Sequence, residues 1–197
     1  MRASDENLTT TLAMMPAAAG QPAMAALLCC YADDVRLMPY AEVLQDSQLP
    51  AGMRFEARNA LFPVLGDEPI AAVEPLLRGG AAVELRSLGG AAARIRPDAT
   101  AFAHRDAEVM AVACAMLPEA APREEPAGWA PLAALGSGAY VNFLGSATGA
   151  DIAAAYPPAT YQRLAAIKRR YDPGNVFRRN HNIRPGGWHG QRPVMPT

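Results

Sequence analysis

The chain has 197 residues, 51% of them hydrophobic, and a formal net charge of −1. That length suits one domain with a sizeable core better than two small ones. The near-neutral charge with dispersed basic residues leaves no electrostatic footprint for nucleic acid, and no apolar run reaches the length of a membrane span, so a soluble protein is expected.

The amino terminus, Met1 to Asn7, puts acids where a signal peptide has its apolar stretch. Secretion is therefore unsupported and a cytoplasmic location is the default. Leu8 to Met15 and Met24 to Tyr31 read as strands joined by a proline and small-residue link from Pro16 to Pro22, and an antiparallel pairing is expected. Cys29, Cys30 and Cys114 show neither metal-ligand spacing nor an even disulfide framework. They read as buried free thiols, with Cys29 and Cys30 on opposite faces of one strand.

Asp67 to Arg78 has an acidic start and Pro69 in its first turn, which predicts a helix whose second half Pro75 strains. Val83 to Leu88 and Ala91 to Arg96 flank Gly89-Gly90, a two-residue connection suited to a primed hairpin turn. Ala107 to Leu117 is mostly apolar and predicts a central strand, although its alanines and methionines also permit a helix. Pro118 to Pro126 reads as a solvated loop. Short helices are expected at Pro131 to Leu135 and Asp151 to Tyr156, with a strand at Ala139 to Leu144 between them.

From Tyr161, the residues Leu164, Ala165, Lys168 and Tyr171 follow helical spacing, with Gln162, Arg163, Arg169 and Arg170 towards water. Asp172-Pro173-Gly174-Asn175 stops that helix, with Gly174 as the residue suited to positive φ. Residues 186–197 read as a flexible tail containing His189. The sum is an α+β fold, an antiparallel β-sheet with helices packed on one face, in one domain over residues 1–185.

Three segments carry a family resemblance. Tyr161-x-Arg163-Leu164-x-x-Ile167-Lys168-x-x-Tyr171-Asp172-Pro173-x-Asn175-x-Phe177-x-x-Asn180-x-Asn182-Ile183-x-Pro185 resembles the carboxy-terminal segment of berberine-bridge-enzyme-like FAD-linked oxidases. Gly138-Ala-Tyr140-Val-Asn142-Phe-Leu144 is similar to that family's Tyr-x-Asn strand facing the flavin. Leu88-Gly-Gly to Phe102-Ala-His104-Arg105-Asp106 resembles its Gly-Gly hairpin and the Phe-x-His-Arg segment after it.

The resemblance implies the family's substrate domain, an antiparallel sheet backed by helices, with no counterpart of the amino-terminal FAD-binding domain. Against the family's pattern the chain is short between Cys30 and Met38 and around Pro126 to Leu135. The implied activity is oxidation of an alcohol-type small molecule by hydride transfer to FAD, shared with an FAD-binding domain or polypeptide, so the chain alone is expected to be inactive. A non-catalytic binding module and a degenerate remnant of such an oxidase remain the alternatives.

The resemblance implies Tyr140 as general base, with Asn142, Asn180 and Asn182 near the cofactor. On an extended strand Tyr140 and Asn142 would face one side, which also fits a packed aromatic with a hydrogen-bonded neighbour. An unperturbed phenol titrates at about 10, so a base of this type needs a positive or hydrogen-bonding neighbour. Where many plant members carry Glu before the Gly-Gly turn, this chain has Arg86, with Glu84 two residues earlier on the same strand face. Arg86 and Glu84 are the substrate-side candidates. A guanidinium at Arg86 can stabilise a Tyr140 phenolate, bind an anionic substrate or sit as a solvated strand residue. His104 with Arg105 is expected to be structural or flavin-proximal, and His181 stands where the family often has Gln.

Overall fold

Alternating strand sequence and short amphipathic helices produce the predicted class. A computed structural model describes residues 8–16, 24–31, 50–145 and 148–187, without the side chains of residues 8–10 and 26–31. The acidic amino terminus, most of the first link, the shortened stretch after Cys30, the side chains of Cys29 and Cys30, and nearly all of the terminal tail with His189 lie outside the described residues.

Among the described residues, β1 (Leu8–Met15), β2 (Met24–Tyr31), β3 (Met53–Phe62), β4 (Ala82–Ser87) and β5 (Val109–Pro118) form one sheet in the order β2-β1-β4-β5-β3. Each pairing is antiparallel, and β1 with β2 pairs from Leu8 opposite Tyr31 to Met15 opposite Met24. The helices are α1 (Asp67–Ala71), α2 (Val73–Arg78), α3 (Trp129–Leu135), α4 (Gly149–Ala155) and α5 (Pro158–Tyr171). No helix among the described residues is long and apolar enough to cross a membrane.

Helices α1 to α3 cover one face of the sheet. Phe62, Val83, Leu76 and Leu132 are fully buried there, joined by Trp129, Val109 and Ala111. The predicted helix from Asp67 to Arg78 divides at Ala72 because Pro75 has no N–H to return to Ala71. The divided pair packs tightly on α3: a Cβ at Gly128 would stand 2.8 Å from the Pro75 carbonyl carbon, and Gly128 also has φ 85. Only glycine meets both demands.

Strand β3 is absent from the sequence reading. Its Arg54, Glu56 and Arg58 look solvated, yet they share the helix-side face with Ala60 and Phe62, and Glu56 is 0% exposed. Burial of these charges is compensated by mutual pairing. Arg54 Nη1 lies 2.7 Å from Glu56 Oε2 and Arg58 Nη1 3.0 Å from Oε1. The loop after β5 closes over them, Arg54 donating to the carbonyls of Ala121 and Pro122. The segment from Pro118 to Pro126 is thus mostly exposed, as expected, and also caps this polar end of the sheet.

Three local expectations are corrected. Gly89-Gly90 does not make a hairpin: both glycines have positive φ, but the chain continues in tight turns, with Ala92 N donating to Gly89 O, and residues 90–100 are exposed. A strand there would bury no apolar side chain, whereas β5 offers β4 a buried ladder from Ala82 opposite Cys114 to Ser87 opposite Val109. Residues 139–144 are not a strand but lead into a 3-10 turn at Val141–Phe143. After α5, positive φ falls on Asn175 (φ 50) and not on Gly174, and Tyr171 is 73% exposed instead of packed. Asp172 makes the stop rigid by accepting the N–H groups of Val176 and Phe177 and the Lys168 ammonium.

Candidate active site

The face of the sheet opposite α1 to α3 carries the cleft. Register places Leu61 of β3 beside Met110 of β5, Met110 beside Arg86 of β4, and Arg86 beside Thr11 of β1. Residues opposite one another in an antiparallel ladder point to the same face, so these four form one row across the sheet. That row is the floor of a cleft of about 480 Å³. Leu88, Ala92, Phe102 and Arg105 from the long β4-β5 connection wall one side, and Tyr140 with Phe143 completes it.

The connection holds its shape through Arg105, which donates to Phe102 O, Ala92 O and Thr100 Oγ1. Its base is closed by Leu88 N donating to Glu108 O at 2.7 Å. His104, buried, donates through Nε2 to Ala154 O at 2.9 Å, the donor role following from a carbonyl partner. Gly138 packs so closely on the His104 ring that no side chain fits there. His104 therefore ties α4 to the cleft wall.

Tyr140 is set by β3. Residues 137–145 run along this edge strand, with Leu61 N donating to Gly138 O and Gly145 N to Ala57 O. Between those two contacts the backbone lifts away into the 3-10 turn. Asn59, 3% exposed, bridges the gap: its Nδ2 donates to Tyr140 O at 2.9 Å and its Oδ1 accepts Tyr140 N at 2.6 Å. A side-chain amide thus replaces two ladder bonds and turns the phenol into the cleft. Phe102 packs edge-on against Tyr140 with centroids 5.3 Å apart, and Phe143 lies 5.9 Å away.

Asn142 Nδ2 donates to the Tyr140 hydroxyl at 2.7 Å, so the two residues predicted to share a strand face meet instead across a turn. Arg86 lies 4.8 Å over the Phe143 ring and donates through Nε and Nη2 to Glu84 Oε2 at 2.8 and 2.6 Å. Tyr140 and Arg86 therefore line one cleft, Asn142 and Glu84 are attached to them, and neither of the latter lines it. Asn180 and Asn182 lie elsewhere, in the segment after α5 that Arg184 N ties to the Tyr161 hydroxyl.

Burial pushes the Cys114 thiol up, nearby Glu84 adding to the effect and Arg86 opposing it. Burial also pushes the Tyr156 phenol up, with Tyr140 adding. The sequence reading missed Asn59, Phe102 and Phe143. The alternation of Phe55, Ala57, Asn59 and Leu61 is the signal that places Asn59 on the cleft face.

An FAD group finds a partial fit. His181 Nε2 and Asn182 Oδ1 are buried without hydrogen-bond partners among the described residues, which suits a ligand edge rich in donors and acceptors.

Residues 139–184 match the family described as Berberine and berberine like. The (R)-6-hydroxynicotine oxidase of Paenarthrobacter nicotinovorans is 55% identical over 40 residues, covering 20% of this chain and 9% of that protein. An uncharacterized FAD-linked oxidoreductase of Bacillus subtilis, YgaK, is 34% identical over 115 residues, covering 53% of this chain and 24% of its own. A crystal structure of 6-hydroxy-D-nicotine oxidase from Arthrobacter nicotinovorans aligns with a TM-score of 0.65 at 21% identity, over 91% of this chain and 48% of that one. At that identity the likeness shows the fold. The chain spans about half the length of that structure, and its matches cover a quarter or less of the two curated relatives.

Proposed function

We propose that this chain supplies the substrate-side wall of an FAD-dependent oxidoreductase, a reading supported by the berberine-family match over residues 139–184 and the likeness in fold to 6-hydroxy-D-nicotine oxidase. The FAD-binding half is a separate polypeptide or further sequence joined to this one. The substrate is an alcohol-type small molecule. The observation that carries the reading is Tyr140 in an aromatic cleft, its backbone held by the Asn59 amide and its hydroxyl accepting a hydrogen bond from Asn142.

Bound FAD would supply the hydride acceptor for the carbinol carbon. Asn142, Asn180 and Asn182 are the residues assigned to hold the cofactor's edge. Tyr140 is the general base, taking the substrate hydroxyl proton at Oη, and Asn142 keeps that oxygen oriented. Arg86 supplies positive charge in the same cleft and Glu84 fixes its direction. Phe102, Phe143 and Leu61 exclude water. Exposed apolar side chains on this sheet face support a covering partner: Phe55 opposite Met116, and Met15 opposite Met24.

Tyr140→Phe, in a complex reconstituted with the FAD-binding partner, tests the reading. Stopped-flow flavin reduction by substrate should slow by about 10²- to 10⁴-fold, the usual contribution of a general base, while the flavin band is retained. Unchanged reduction removes Tyr140 from the base role.

A further inference from the structure

Among the described residues, the charged groups that line the cleft are Arg86 and Arg105, and no carboxylate lines it. The two guanidiniums differ. Arg105 spends its Nε, Nη1 and Nη2 on Phe102 O, Ala92 O and Thr100 Oγ1, and so serves the wall. Arg86 rests on Glu84 through Nε and Nη2, and among the described residues its Nη1 has no acceptor. Glu84 stands outside the cleft lining, so the carboxylate steadies the guanidinium from behind while the open edge remains for a ligand.

Two more contacts shape that edge. The ring of Phe143 lies 4.8 Å below the guanidinium carbon and limits its rotation. Thr11 is the direct cross-strand partner of Arg86 and also lines the cleft, which adds a hydroxyl donor to the same cleft. The rest of the lining includes Leu61, Leu88, Met110 and Phe102, in a volume of about 480 Å³ that suits a molecule of one or two rings.

We infer that the cleft selects a flat, apolar molecule bearing a carboxylate, which Arg86 and the Thr11 hydroxyl hold together. The inference rests on reading this cleft as the substrate site and adds the substrate's chemical class. A carboxylate at the open Nη1 meets a guanidinium that Glu84 already orients, so little side-chain freedom is lost on binding. A neutral amide of the same shape meets the open N–H groups with an uncharged oxygen, a weaker acceptor than a carboxylate, which disfavours it.

The test is calorimetric titration of the full chain with 2-naphthoate and with 2-naphthamide, which share a shape and differ in charge. Naphthoate should bind at least ten-fold more tightly, a difference of about 1.4 kcal/mol. Arg86→Gln should bring the two affinities together without weakening naphthamide, Arg86→Lys should keep part of the preference, and Thr11→Val should reduce it by a smaller factor. Should Arg86→Gln fail to fold by circular dichroism, the unaltered chain still reports: rising sodium chloride should shrink the naphthoate preference and leave naphthamide unchanged. Equal affinities, binding of neither compound, or a preference that survives Arg86→Gln overturns the inference. No flavin is needed, so failure of the chain to join a flavin complex is a separate result that bears on the oxidoreductase reading.

Discussion

The two faces of the sheet follow opposite rules. On the face under α1 to α3, Phe62, Leu76, Val83 and Leu132 lose nearly all contact with water. On the cleft face, Phe55 is 51%, Met116 49% and Met15 44% exposed, while Tyr140 and Arg86 are half-buried. The chain's own helices complete the first face. The second keeps apolar surface and oriented polar groups open to solvent.

The largest effect is expected at the polar end of the helix face. Glu56→Ala should leave Arg54 and Arg58 as buried charges without their shared partner and cost about 3–5 kcal/mol in denaturant unfolding. A midpoint equal to that of the unaltered chain would mean that this face is not where stability resides. Next, Leu132→Ala should cost about 2–5 kcal/mol, whereas Phe55→Ala on the open face should shift stability by only about 0.5 kcal/mol. Comparable losses for the two would erase the distinction between the faces.

A smaller effect is expected where the faces meet the 3-10 turn. Asn59→Ala removes both side-chain bonds to the Tyr140 backbone and should cost about 1–3 kcal/mol. It should also weaken the near-ultraviolet circular dichroism of Tyr140 and its aromatic neighbours. An unchanged spectrum would show that the ring is held by Phe102 and Phe143 alone.

The smallest effect is local and depends on pH. The Lys168 ammonium, then the N–H groups of Val176 and Phe177, hold the Asp172 carboxyl below its ordinary value. A lowered carboxyl contributes stability that is present above the unfolded value of about 3.9 and is lost as pH falls through the folded value. Amide exchange at Val176 and Phe177, corrected for intrinsic pH dependence, should therefore lose protection below that range, while the amides of β5 stay protected.

These contrasts also explain what the sequence made legible. Strands β1, β2 and β5 and helix α5 follow from apolar periodicity, and α5 ends at Asp172-Pro173 as predicted. Strand β3 is hidden because its buried face carries Arg54, Glu56 and Arg58, which only long-range pairing and the loop after β5 make acceptable inside. The expected hairpin at Gly89-Gly90 fails because Ala91 to Arg96 has no buried face to offer, while β5 does.

In the site, the resemblance pointed to Tyr140 and Arg86, and the fold brings both into one cleft. Strand alternation misplaced Asn142, since the edge of β3 accepts only part of the segment as a ladder. Strand alternation could put Asn59 on the cleft face, but no local pattern signals its bonds to a backbone 81 residues away.

The most direct measurement is the visible absorption spectrum of the chain, purified alone and then together with an FAD-binding polypeptide encoded beside it. The account predicts a flavin band in the joint preparation that elutes with this chain and is absent from the chain alone. A folded chain that associates with no flavin-bearing partner, and shows no flavin band under either condition, would contradict it.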